Sequence, residues 1–444
     1  MARRLKTRKK GKTGAQDLTG NPDFRARTNF PLPPVAAIER RLRAVLTPGL
    51  FAARRVDPAG SKLRDRLLTL PVMAVLMVSL VWRQLPSLSE ALRVVAREGL
   101  WDLAPFRVSR QALSQRLQAL PAALFAHLYE EALQRLRPPA APAAPPTGLR
   151  ARFSALWLAD GSTLEALRRK THPEREPIGS PLGGKMLAVV DAGTRCPLHT
   201  WYTPEAQAND KRFAPQVLAA LPVGGLLGLD LGWFSFPFFD ALTESGKFFV
   251  TRLREKTAYR SLRVLAEGPR FRDHLIQCGQ YRANPCRHPL RLVSVLWGTT
   301  WYHYLTNVLD PQRLTAPEVC DFYRRRWRVE EAFLLTKRLL GLAYLWVGDR
   351  NGVEIQLYAT WLVYAVLADL CVHVAEALSQ PLEKISVEMV FRSLYHFARA
   401  IDLGENPELV PFLVHHAKLF GLLKADRKRH KERRQQDLEI WSTS

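Results

Sequence analysis

After the stretch RPPAAPAAPPTG, the chain becomes a succession of short apolar runs that end on acids or turn residues, and the order of those runs restricts its fold most. ALWLAD reads as a strand ending at Asp160, and KMLAVVD and PLHTWYT flank the turn Asp191-Ala192-Gly193-Thr194 as a hairpin. KRFAPQVLAAL has the spacing of a helix. GLLGLD is the next strand, ending at Asp230, and the helical FPFFDALTESG and the strand KFFVTRL follow it. Three strands, a helix, a strand, a helix and a strand therefore succeed one another. From about 254 to 315 there is more strand character, in LRLVSVLW and TWYHYLTNVL, before a helix begins near Ala316.

This is the order of a ribonuclease-H-like core, in which three antiparallel strands come first and later strands enter through crossover helices. The expected fold is α/β, a ribonuclease-H-like catalytic core with a β-rich insertion, flanked by N- and C-terminal helical regions. The corresponding division is a basic arm at 1–30, a helical DNA-binding region at 31–137, and a Pro-rich linker at 138–148. The catalytic domain follows at 149–345, with its insertion at about 254–315, and a helical region with a basic tail fills 346–444. Within the first helical region VSRQALSQRLQAL carries a Ser cap before helically spaced apolar residues, as a DNA-recognition helix does and as an ordinary amphipathic helix does equally.

Charge narrows the partner. Sixty-five Lys and Arg against 41 Asp and Glu leave a net +24, which favours a polyanion such as nucleic acid. Met1 to Gly14 holds seven basic residues and no acid, and Lys424 to Arg434 holds seven against two acids. An acidic membrane surface is the competing explanation, but the apolar runs Leu67 to Trp82 and Leu357 to Ala368 are short of the roughly 20 residues a spanning helix needs. Pro71 and Asp369 make them read as buried helices. Five scattered cysteines without a CxxC pair support neither a disulfide framework nor a zinc site and read as buried thiols in a reducing cytoplasm.

The run YRRRWRVEEAFLLTK says most about chemistry. At ~100° of rotation per residue, Tyr323, Arg326, Glu330 and Lys337 fall within a stripe of about 60°. Phe322, Val329, Phe333 and Leu340 form a separate apolar stripe, which lets the helix lie on a core with its polar row at the rim of a site. Any one of the charged pairs also fits a solvated helix face.

The spacing Tyr, two residues, Arg, three residues, Glu, six residues, Lys resembles the signature of bacterial insertion-sequence transposases of the insertion-sequence-four family, which are of the DDE type. Similarity extends to LWLADGSTL, GLLGLDLGWFSFPFFDAL, KFFVTRL, YLTNVL and GVEIQLYATWLVYAVL, over roughly residues 100 to 370. The resemblance implies that Asp160, Asp230 and Glu330 are the catalytic, metal-binding acids, and that Tyr323, Arg326 and Lys337 hold DNA phosphates. It implies two Mg²⁺ ions, which Mn²⁺ can replace, hydrolysis at the transposon's 3′ ends, and attack of the freed 3′ hydroxyl on target DNA. It further implies terminal inverted repeats and target DNA as partners, a homodimer in the synaptic complex, no membrane, and a cytoplasmic, nucleoid-associated location.

Three carboxylates suffice to hold a pair of hard cations about 4 Å apart that clamp the attacking and leaving oxygens of a phosphodiester. On its own DGST also fits a turn before Gly161. Asp230 ends an unbroken apolar strand, where an ionised carboxylate needs a partner. Asp191 is explained by its hairpin, and Asp210, Asp240 and Glu331 read as solvated or capping acids. The resemblance also makes Trp233, Trp297 and Trp301 candidates for stacking on a flipped base, and Leu231 stands where the family often has a basic residue. The alternative to a transposase is a transposase-derived DNA-binding protein without catalytic activity.

Overall fold

The computed structural model describes residues 36–46, 67–85, 87–101, 104–136, 148–167, 182–425 and 440–441. The basic arm, the linker as far as residue 147 and the tail from 426 to 439 lie outside the described residues.

Among the described residues five helices come first: α1 Ala36–Val45, α2 Leu70–Trp82, α3 Leu88–Arg97, α4 Arg110–Ala119 and α5 Ala122–Leu136. After the short α6 Leu149–Arg152 come β1 Leu156–Leu167, β2 Leu182–Asp191 and β3 Pro197–Thr203. A 3-10 turn Asp210–Phe213 leads into α7 Ala214–Ala220, then β4 Leu226–Gly228, a 3-10 turn Leu231–Trp233, α8 Phe236–Glu244 and β5 Phe248–Arg252. β6 Tyr259–Gly268, β7 Phe271–Cys278, β8 Leu290–Trp297 and β9 Thr300–Thr306 precede α9 Ala316–Arg324 and α10 Trp327–Leu334. α11 Arg350–Ala377, α12 Val387–Asp402 and α13 Leu409–His415 close the described chain.

The strands form one sheet of nine, in the order β3-β2-β1-β4-β5-β9-β8-β7-β6. β1, β2 and β3 are antiparallel neighbours, while β4 runs parallel to β1 and β5 parallel to β4. The expected succession of elements is therefore present. The four later strands do not make a sheet of their own, because β9 pairs antiparallel with β5 and extends the first five.

Both faces of the sheet are covered, which is why the stretches Leu156–Ala159, Met186–Val190 and Leu226–Leu227 are apolar at every position and do not alternate. Leu156 and Leu158 of β1, Met186, Ala188 and Val190 of β2, Leu226 of β4 and Val250 of β5 enter one core. Their neighbours Trp157, Ala159, Leu187, Val189, Leu227 and Phe249 enter the other, under Phe213, Val217, Phe236, Phe239 and Leu242. The crossover segments α7 and α8 thus lie on one face. α9, α10 and the flanking helices lie on the opposite one.

The helices before and after the sheet share a single core. α11 packs against α2, α5, α12 and α13, and Tyr129 of α5 reaches Thr200 of β3 through a 3.1 Å hydroxyl contact. The apolar run that was expected to end at Asp369 continues through it to Ala377, because Arg41 pairs with the Asp369 carboxylate at 2.7 Å. At 28 residues α11 is long and apolar enough to cross a membrane by length and composition, and most of it is buried inside the protein. All five cysteines are free, four of them buried.

Candidate active site

β1 does not stop at Asp160. It continues to Leu167 with β2 beside it, Asp160 opposite Ala188 and Thr163 opposite Lys185, so the turn that DGST on its own also fits is absent. The parallel pairing of β1 with β4 covers only Leu156–Leu158 and Leu226–Gly228. Asp160, still within β1, and Asp230, past the end of β4, each lie just beyond that pairing. There Asp230 caps the 3-10 turn Leu231–Trp233, its Oδ1 accepting the Gly232 N–H at 2.9 Å, and its carbonyl accepts from the Thr251 hydroxyl at 3.2 Å.

A third acid joins them, and it is Asp210. This residue opens the 3-10 turn after β3, where Asn209 supplies the cap by accepting from Lys211 N–H at 3.1 Å. Its carboxylate points inward: oxygens of Asp160, Asp210 and Asp230 all lie within 4.8 Å of one another. Asp210 is 8% exposed, and Lys185 Nζ stands 2.5 Å from its Oδ1 while donating to Ala208 O at 2.7 Å. The reading of Asp210 as a solvated or capping acid is thereby corrected. Nothing local in NDKRF distinguishes it from a cap; only the register that brings Lys185 and Gly161 to the same end of the sheet does.

Glu330 approaches from the other side. Arg326 donates from Nη1 to Asp160 Oδ2 at 2.9 Å and from Nη2 to Glu330 Oε1 at 2.7 Å, so one guanidinium links the two acids. Glu330 is outside the group of three whose oxygens lie within 4.8 Å. Arg326 is itself buried and spent on carboxylates in this arrangement.

The expected continuous helix is broken twice. Arg325, Arg326, Arg328 and Val329 bond three residues back, which tightens the chain between α9 and α10. Beyond α10 the residues Leu335–Leu339 widen into a π turn, where the Thr336 hydroxyl donates to the Ala332 and Phe333 carbonyls. Lys337 sits on that turn, half-buried, and not on the regular helix. Phe322, Val329, Phe333 and Leu340 are buried as expected. Tyr323 packs its ring 5.2 Å from that of Tyr304.

Crowding acids in a buried place disfavours their charged forms. Burial, with Asp230, Asp210 and Glu330 adding to it against the opposing pull of Arg326, pushes Asp160 up to about 7. Burial and Asp210 likewise raise Asp230. A set of hard carboxylate oxygens this close suits a divalent cation such as Mg²⁺, whose charge offsets their repulsion.

The other acids have structural work. Asp191 Oδ1 accepts the Gly193 and Thr194 N–H groups at 2.9 and 2.8 Å. Asp240 is no exposed cap: it is buried and receives the Arg287 and His288 N–H groups at 3.0 and 3.2 Å. Glu331 pairs with Lys424. Trp233 is fully buried, Trp297 lies against Tyr302 and the Arg324 guanidinium, and Trp301 lies under Arg272.

Residues 156–366, which hold every acid of the site, match the family described as Transposase DDE domain. Over 194 residues the chain is 26% identical to "Putative transposase y4zB" of Sinorhizobium fredii, a match spanning 42% of this chain and 52% of that relative. Among solved structures, that of the piggyBac transposase synaptic complex with hairpin DNA aligns with a TM-score of 0.44 and 11% identity, covering 89% of this chain and 87% of that one. Both sequence matches are to transposase sequences, and each spans less than half of this chain.

Proposed function

We propose that the protein is a cut-and-paste DNA transposase of the insertion-sequence-four branch, built on a ribonuclease-H-like core. The observation that carries this is the meeting of Asp160 and Asp230 just beyond the parallel pairing of β1 with β4, inside the span that matches a transposase domain. The strand order β3-β2-β1-β4-β5 supports the ribonuclease-H-like reading, and the spacing of Tyr323, Arg326, Glu330 and Lys337 supports the branch.

On this reading Asp160 and Asp230 hold divalent cations, with Glu330 joining them once Arg326 lets go of it on binding DNA. Such cations, when bound, polarise a phosphoryl oxygen and lower the pKa of an attacking water or hydroxyl. The chain's own part is to fix the scissile phosphate beside the acids and to exclude other geometries. Tyr323, Arg326 and Lys337 would hold phosphates of the transposon's terminal inverted repeats, Arg by its planar fork and Lys as a point charge. Hydrolysis frees a 3′ hydroxyl, which then attacks target DNA. A homodimer holding two ends, no membrane, and a place at the nucleoid in the cytoplasm belong to the same proposal, and the +24 charge favours its DNA partner.

The test is to incubate the protein with its element's ends and Mg²⁺. New 3′ hydroxyl termini are expected, and Asp230→Ala abolishes them while DNA binding persists. Undiminished cleavage by Asp230→Ala would place the active site elsewhere. Binding without cleavage by the unaltered protein would leave a DNA-binding protein that has lost its chemistry.

A further inference from the structure

We infer that Asp210 is a cation-holding carboxylate of this site, acting with Asp160 and Asp230, and that Lys185 is the positioning residue that keeps it there. The inference rests on the reading of Asp160 and Asp230 as the cation site. It adds a residue that lies outside the Tyr-Arg-Glu-Lys signature and outside the three acids that the resemblance implies.

Four observations converge on it. Asp210 is 8% exposed, yet its oxygens come within 4.8 Å of carboxylate oxygens of two other acids. A buried acid so placed is costly unless a positive charge is shared among the group. Lys185 Nζ lies 2.5 Å from Oδ1 and also donates to Ala208 O at 2.7 Å. Lys185 therefore offsets one carboxylate charge and fixes the position of Asp210, while a single ammonium does not offset the further charges of Asp160 and Asp230.

Space is also reserved for this carboxylate. A Cβ at Gly161 would stand 2.1 Å from Asp210 Oδ1, and one at Gly232 would stand 3.4 Å from Oδ2. Neither glycine has a positive φ, so what they provide is close approach, not an unusual backbone. Finally, Glu330 is held away by Arg326, so that Asp210 is the third acid of the group as it stands.

The experiment measures Mn²⁺ binding to the full-length protein by electron paramagnetic resonance of the free ion, with circular dichroism to verify the fold. Asp210→Asn, which keeps the shape and removes the charge, is expected to weaken Mn²⁺ binding about tenfold or more. Asp210→Glu, which keeps the charge, recovers part of that loss and serves as the second variant should the Asn form fold poorly. Wild-type affinity in Asp210→Asn, with loss in Asp230→Asn, overturns the role of Asp210 and leaves the cation site standing. Wild-type affinity in both overturns the cation site itself.

Discussion

Arg326 Nη1 lies 2.9 Å from Asp160 Oδ2, both groups buried, and the pair joins the signature helices to β1. The same guanidinium binds Glu330. Removing it leaves the carboxylates without their main compensating charge. Arg326→Ala is therefore expected to cost about 3–5 kcal/mol of stability in chelator-treated protein, the range for breaking a buried pair. Added Mg²⁺ should return part of the loss by supplying positive charge to the same acids. A deficit in urea unfolding that Mg²⁺ leaves unchanged would mean that Arg326 and the cation do not share those acids.

The protonation of Asp160 gives a pH signature. Its pKa rises from 3.8 unfolded to about 7 folded, chiefly by burial, so between those values the native state binds the extra proton. Stability contributed by the protonated form is thus fully present at acid pH and is lost as pH rises towards 7, with a limiting slope of about 1.4 kcal/mol per pH unit. Asp160→Asn cannot titrate. In cation-free protein the stability of the wild type relative to Asp160→Asn should fall across that window and then level off. A difference that is flat with pH would show that Asp160 is already ionised in the acid range.

Gly161 is predicted to be intolerant of any side chain for a reason that leaves the fold intact. A methyl group there would meet the Asp210 carboxylate, which must turn away from Asp160 and Asp230. Gly161→Ala should therefore retain its circular dichroism spectrum while losing most of its DNA cleavage. Cleavage at the wild-type rate would mean that the carboxylate has room to move without consequence.

Much of this was legible in the sequence because the signals were local. Apolar runs at WLA, MLAVV, LLG and FFV are buried on both sheet faces, so their strands can be read without knowing the partner. The buried stripe Phe322, Val329, Phe333 and Leu340 follows from helical periodicity. Asp210 was not legible, because a cap and a buried carboxylate differ only in what β1 and β2 bring opposite them. The break at Arg325 and the π turn at Thr336 were missed for a similar reason: helical spacing assumes a uniform rotation that tightened and widened turns interrupt. Glu330 and Arg326 share a stripe on any regular helix, but that Arg326 also reaches Asp160 depends on a contact 166 positions away.

The last prediction concerns the attachment of the late strands to the signature helices. Arg291 of β8 is fully buried and donates to both Asp273 oxygens, at 2.7 and 2.6 Å, and to Leu314 O at 2.5 Å, just ahead of α9. This fork ties β7, β8 and the entry to α9 at one point. Asp273→Ala strands the guanidinium in the interior and is expected to cost about 3–5 kcal/mol. Replacing both partners by apolar residues, as in Arg291→Met with Asp273→Leu, removes the stranded charge and should recover most of that loss, since buried pairs are often matched by well-packed apolar side chains. Urea unfolding of the single and double variants measures the difference. A double variant no more stable than Asp273→Ala would show that the Leu314 contact, and not the charge pair, secures the junction.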